Sequence, residues 1–117
     1  MITINFKPVT VIETSSFQNE ADSIWSDEER HEFISYIAYH PLEGAEIPGT
    51  RGVRKVRWKR RGMGKKGGAR VIYYFYNDSA PLFLISVYAK SEKENLTSDE
   101  YKKLSGWVKN LKSKFKK

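Results

Sequence analysis

The chain contains no cysteine, which excludes a disulfide framework and any Cys-ligated zinc or iron–sulfur centre. Only two histidines are present, His31 and His40. Both fall in or beside an acid-rich segment, which disfavours ribonuclease chemistry run by a histidine pair. No apolar run approaches the roughly 18 residues that a membrane span requires, and the N-terminal MITINFKPVTVIETSSF lacks a long apolar stretch ending in a small-residue cleavage site. The expectation is a soluble, unexported, cytoplasmic protein without a membrane partner. Asp78, Glu92 and Glu94 form no recognisable two-metal carboxylate cluster, so neither a metal nor a cofactor is expected. Gly62-x-Gly64-x-x-Gly67 has the spacing of a dinucleotide fingerprint, but it joins two strand-like segments instead of opening a helix, and that context rejects a dinucleotide site.

Acidic residues are also missing where basic ones concentrate. Arg51 to Arg70 holds ten of the 21 Lys and Arg residues and no Asp or Glu. Glu13 to Glu46 reverses the balance, with nine acidic residues against the single basic Arg30. The formal net charge of +7 is therefore split by element, the arrangement expected when one face meets a polyanion and another stays solvated. The basic run is interleaved with Val53, Val56 and Trp58 and followed by Val71-Ile72-Tyr73-Tyr74-Phe75-Tyr76, a stretch of strong strand formers. The charge is mounted on a sheet, and RNA or DNA is the partner such a surface attracts.

At 117 residues the chain fits one domain, residues 1–117, with a single core. Val9 to Ser15 reads as a short strand and Phe17 to Trp25 as a polar helix. Ser26-x-x-Glu29 is a capping-box pattern, and Phe33, Ile34, Ile37 and Ala38 after it make an apolar stripe that ends at His40-Pro41. Pro41 to Gly52 is a loop. Strands follow over Val53 to Lys59, Ala69 to Tyr76 and Leu82 to Lys90, separated by a Gly-rich basic connection and by Asn77-Asp78-Ser79-Ala80-Pro81. A second capping box, Thr97-x-x-Glu100, opens a terminal helix with Tyr101, Leu104, Val108, Leu111 and Phe115 on one face. The order predicts an α+β domain: an antiparallel sheet with helices packed on one face and a C-terminal helix.

Strand alternation decides which charges share a face. Val56 and Trp58 belong inside with Arg54, so Lys55 and Arg57 point to the other side. In the last strand Phe83, Ile85 and Val87 form the more apolar face and Ser86, Tyr88 and Lys90 the exposed one. Lys55, Arg57, Arg70, Tyr88 and Lys90 thus converge on one open sheet face. Arginine forks match phosphate oxygens, whereas a lysine crowded by cations can act as a base. Such a lysine can take the proton of a ribose 2′-OH while the guanidinium groups stabilise the phosphorane, and only RNA supplies that internal nucleophile. The plainer alternatives are a solvated or edge-protecting basic face and nucleic-acid binding without chemistry. Tyr73, Tyr74 and Phe75 read as core, and a Tyr88 packed over Tyr74 is as consistent with the pattern as a catalytic one.

The residues GTRGVRKVRWKRRGMGKKGGARVIYYFY and LFLISVYAKSEKENLT, between Pro41 and Trp107, closely resemble the HigB branch of the RelE/HigB toxins of bacterial toxin–antitoxin systems. The resemblance implies a compact RelE-like fold. It also implies a metal-independent endoribonuclease, an mRNA interferase that cuts messenger RNA in the ribosomal A site by 2′-OH attack. Translation stops, and a cognate HigA-like antitoxin neutralises the protein, with operator DNA contacted only through that antitoxin. Lys55 and Arg57 look like the family's paired basic strand residues, and Arg70 like its phosphate-binding arginine. Arg54, Lys59, Arg60, Arg61, Lys65, Lys66 and Lys93 would contact ribosomal RNA or the message backbone. Where RelE-type enzymes place an arginine after Gly-Lys, this chain has Ala89-Lys90-Ser91, and Thr97 lies near the place of their downstream tyrosine. Tyr88, Lys90 and Lys93 are the candidates for the general acid, with Lys90 ranked first by strand parity. The alternative function is a noncatalytic RNA- or ribosome-binding module of the same fold. A DNA-binding regulator is weaker still, because no helix-turn-helix spacing is present.

Overall fold

A computed structural model describes residues 7–60, 68–93 and 95–115. The element order is β1 (Val11–Glu13), α1 (Ser15–Ile24), α2 (Asp27–Tyr39), β2 (Ala45–Glu46), β3 (Val53–Trp58), β4 (Ala69–Phe75), β5 (Leu82–Ala89) and α3 (Ser98–Phe115). The strands form one sheet in the order β1-β5-β4-β3-β2. Its centre is antiparallel as expected, while β1 joins β5 in parallel, with Val11 opposite Leu82 and Glu13 opposite Leu84. β2 was not anticipated: its two residues sit in the Gly- and Pro-rich loop and pair with Arg54 and Lys55.

Local chemistry sets the helix starts. Thr14 caps α1 by accepting the Phe17 amide at 3.2 Å, and its hydroxyl donates to the Leu84 carbonyl at 2.9 Å, which ties that start to the sheet. Both capping boxes form. The Ser26 amide donates to Glu29 at 2.9 Å and the Glu29 amide to Ser26 at 3.2 Å, and Thr97 and Glu100 repeat the exchange at 2.8 and 3.2 Å.

The sheet is covered on both sides. On one, α1 and α2 bury Phe17, Trp25, Phe33 and Ile37 against Val56, Trp58, Val71, Tyr73, Leu82 and Leu84. Trp25 stacks on Phe33 at 5.2 Å, and Phe33 meets Trp58 edge-on at 5.3 Å. On the other, Leu96 and the apolar face of α3, centred on Val108, pack against Val53, Ile72, Tyr74 and Tyr88. Trp107 stands edge-on to both Tyr74 (6.3 Å) and Phe83 (5.6 Å), arrangements worth about 0.5–1.5 kcal/mol each beyond the area they bury. The open face expected from parity is thus partly roofed by α3.

One irregularity corrects the reading of β5. Ile72 pairs with Ser86 but Tyr73 with Leu84, leaving Ile85 as the extra residue of a bulge. Upstream of it Leu82 and Leu84 face α1 and α2, and Phe83 and Ile85 pack with α3. Downstream, Val87 and Ala89 face α1 and α2. Phe83 and Ile85 therefore share the α3 side with Ser86 and Tyr88, and do not line up with Val87 as uniform alternation had it. Arg51, between Gly49 and Gly52, adopts a φ of 65°, a left-handed backbone that costs a residue with a side chain about 1–2 kcal/mol. No helix among the described residues is long and apolar enough to cross a membrane.

Candidate ribonuclease site

The site is built on three neighbouring strands. Arg57 on β3 pairs directly with Arg70 on β4, which pairs with Tyr88 on β5. Strands lie about 4.8 Å apart, so the three form a row roughly 10 Å across on the α3 side of the sheet. Lys55, two positions along β3, shares that face in the next row, beside Ile72 and Ser86. Its ammonium donates to Asn95 Oδ1 at 3.0 Å, which holds the long side chain over the sheet. Lys90 directly follows β5, is exposed, and its amide donates to the Gly68 carbonyl at 3.0 Å.

Parity therefore brings Lys55, Arg57, Arg70 and Tyr88 together, but the face is less open than expected. Arg70 is 1% exposed and Tyr88 4%, whereas Arg57 and Lys90 are exposed and Lys55 is half-buried. Tyr88 joins the Tyr74–Val108 cluster and lies under Lys93, whose ammonium is 4.9 Å from its ring. Lys93 is held in turn by Glu100 at 3.0 Å. The Glu100 carboxyl is pulled below the usual carboxylate range, first by the Thr97 backbone amide and then by Lys93. Burial pushes the Tyr74 hydroxyl up to about 12, so this core phenol stays protonated beneath α3.

Several of the expected contact residues lie elsewhere. Arg54 faces the α2 side, where its guanidinium donates to the Gly44 carbonyl at 2.5 Å and meets Glu46 at 3.5 Å. It secures β2, and the alternation that turns Lys55 toward the row turns Arg54 away from it. Lys59 is ion-paired with Glu32 of α2 at 2.5 Å, while its carbonyl accepts the Trp25 indole N–H. Arg60, two residues beyond β3, is half-buried. Arg61, Lys65 and Lys66 lie outside the described residues. Asn95 was missed: a single asparagine in a strand-to-helix connection carries no periodic signal. Glu100 was visible only as half of a capping box.

A family model described as the RelE toxin of the RelE/RelB toxin–antitoxin system matches residues 11–117. The chain belongs to the RelE toxin family. Membership makes it, in general terms, a toxin-antitoxin toxin of the messenger-RNA-cleaving kind. A solved structure of an arginine-to-alanine double mutant of Escherichia coli toxin RelE in the free state superposes with a TM-score of 0.54 at 16% identity, over 75% of this chain and 90% of that one. At that identity the likeness carries the fold alone: a five-stranded mixed sheet with three helices, the last at the C-terminus, matches the RelE fold.

Proposed function

We propose that this RelE-family toxin is a ribosome-dependent mRNA interferase of the HigB type. It cleaves the message in the ribosomal A site without a metal ion, acts in the cytoplasm, and is neutralised by a cognate HigA-like antitoxin that also makes any contact with operator DNA. The observation that carries this reading is the in-register row Arg57–Arg70–Tyr88 with Lys55 beside it on the same face. Two guanidinium groups on rigid strands suit a phosphate whose charge grows during reaction, and the lysine beside them is placed to take a proton.

In the proposed step Lys55, placed by Asn95 and acting as the neutral amine, accepts the proton of the 2′-OH as that oxygen attacks the adjacent phosphorus. Arg57, the exposed member of the pair, contacts the non-bridging oxygens, and the buried Arg70 adds its field from behind. The 5′ oxygen leaves with a proton from Lys90, so the products are a 2′,3′-cyclic phosphate and a 5′-hydroxyl. Lys90 is favoured over Tyr88 because it is exposed at the end of β5, whereas Tyr88 is packed into the α3 cluster and covered by Lys93.

The test is cleavage of a defined message by the purified chain with and without programmed ribosomes, wild type against Lys55→Arg. The substitution keeps the charge and replaces the base with a group that stays protonated. Cutting only on ribosomes, lost in Lys55→Arg while ribosome affinity stays, is the expected result. Ribosome binding without cutting by the wild type would instead establish a noncatalytic module, and cutting of naked message would refute ribosome dependence.

A further inference from the structure

The connection from β5 to α3 folds back onto the row. The Glu92 and Lys93 amides both donate to the Ala89 carbonyl, at 3.0 and 3.3 Å, and that turn lays the Lys93 ammonium 4.9 Å from the centre of the Tyr88 ring. Glu100 holds it from a second side at 3.0 Å. Glu100 is itself fixed, because its carboxylate accepts the Thr97 amide at 2.8 Å in the capping box that opens α3. A flexible lysine stem is thus pinned between an aromatic face and a carboxylate, with 38% of its side chain still open to solvent. An ion pair this exposed contributes little to stability, so the fold itself has small need of it. What the arrangement does supply is a cation whose position is fixed before any ligand arrives.

Its place relative to the row gives that cation a ligand. In the proposed step the attacking ribose lies by Lys55 on β3 and the leaving oxygen by Lys90 just past β5, so the message crosses the row from β3 toward β5 in its 5′ to 3′ direction. Lys93 sits over the Tyr88 end of the row, two strand spacings, about 10 Å, from the Arg57 end. We propose that Lys93 grips the phosphate next to the scissile one on its 3′ side, and that Glu100 is a positioning residue that holds Lys93 there. The inference rests on the reading of the site given above. A phosphate that does not react is bound alike before and during the reaction, so this contact sets KM and leaves kcat near its wild-type value, the reverse of what a general acid shows. The role of Glu100 is separable from capping by its sign. Glutamine at that position can still accept the Thr97 amide, and taking a negative charge away from beside the message would by itself tighten binding. Loss of a positioning contact weakens binding instead, by the ordering cost of one long side chain, about 2- to 10-fold.

The test measures cleavage by the full chain on ribosomes programmed with a synthetic message that carries, at the linkage 3′ to the cut, either the normal phosphodiester or an uncharged methylphosphonate. For wild type the uncharged linkage should raise KM for programmed ribosomes about tenfold, the lower end of what a hydrogen bond to a charged group contributes. Lys93→Gln should raise KM as much on the normal message and lose nothing further on the modified one. Glu100→Gln should raise KM about 2- to 10-fold on the normal message, and the double variant should match Lys93→Gln alone. Misfolding cannot imitate this pattern, because a smaller folded fraction costs the same on both messages. An equal methylphosphonate penalty in wild type and Lys93→Gln overturns the phosphate contact, as does a Lys93→Gln variant whose kcat falls at unchanged KM. Tighter binding by Glu100→Gln, or effects that add in the double variant, overturns the positioning role. Wild-type protein that leaves the normal message uncut on ribosomes overturns the underlying reading instead, and is told apart because it needs neither variant nor modified linkage.

Discussion

Arg57→Gln separates function from folding at the proposed site. Arg57 is exposed, so truncating it opens no cavity and leaves no buried group unpaired, and surface changes of that kind stay within about 0.5 kcal/mol. It also sits directly across from Arg70. Directly opposed residues on antiparallel strands have their Cβ atoms about 5 Å apart, and like charges there are destabilising by about 0.2–1 kcal/mol. Removing Arg57 relieves that repulsion, so the variant should unfold a few degrees higher than wild type, with the gain shrinking as salt screens the pair. Cleavage should move the other way: loss of one preorganised group that stabilises developing charge costs about 10²–10³ in rate. The assay pairs single-turnover message cleavage on programmed ribosomes with thermal unfolding at low and high salt. A variant that cleaves at the wild-type rate would remove Arg57 from the chemistry. One that unfolds at a lower temperature would refute the repulsion argument.

Two further predictions concern the scaffold. Glu100→Gln should lower stability at neutral pH by about 0.3–1 kcal/mol: glutamine can still accept the Thr97 amide, so what is lost is the charge that meets the partly exposed Lys93 and the helix start. Because the folded pKa of Glu100 is depressed, its contribution is present above the ordinary carboxylate pKa and lost as the pH falls through the lowered folded value; wild-type and variant denaturation midpoints should therefore converge in acid, and a gap that persists there would refute this account. Tyr73→Phe should cost about 1–3 kcal/mol, seen as a lower urea midpoint at unchanged slope, because the Tyr73 hydroxyl accepts the buried Gly44 amide and donates to the Pro41 carbonyl, both at 2.8 Å. An unmoved midpoint would mean that water replaces both bonds.

Features written in neighbouring residues were legible in the sequence, and features decided by distant ones were not. Both capping boxes were readable because a hydroxyl and a carboxyl three positions apart suffice to form them, and α3 because its apolar stripe repeats at helical spacing. The row of Lys55, Arg57, Arg70 and Tyr88 was legible because alternation along a strand is local and β3 to β5 are consecutive. The depth at which Tyr88 lies was not, since it depends on Leu96 and α3 arriving from elsewhere in the chain. β2 escaped because two residues cannot display an alternation. The parallel pairing of β1 with β5 joins segments about 70 positions apart, and no short-range pattern announces it. Arg54 shows the limit of reading charge alone: a basic residue in a basic run reads as an RNA contact, while in the fold its guanidinium is bonded to Gly44 and Glu46 across the turn.

The extra residue at Ile85 has a consequence for how such a protein can vary. Without it, the sides occupied by Phe83 and Leu84 would be exchanged relative to Val87 and Tyr88, and either the edge-on partner of Trp107 or the tyrosine of the row would be turned into the wrong layer. A single-residue insertion or deletion elsewhere in β5 would do the same damage. With the extra residue in place, both halves of the strand serve the same two layers: Leu84 and Val87 face α1 and α2, and Phe83 and Tyr88 pack with α3. This strand should therefore tolerate changes of side chain more readily than any change of its length.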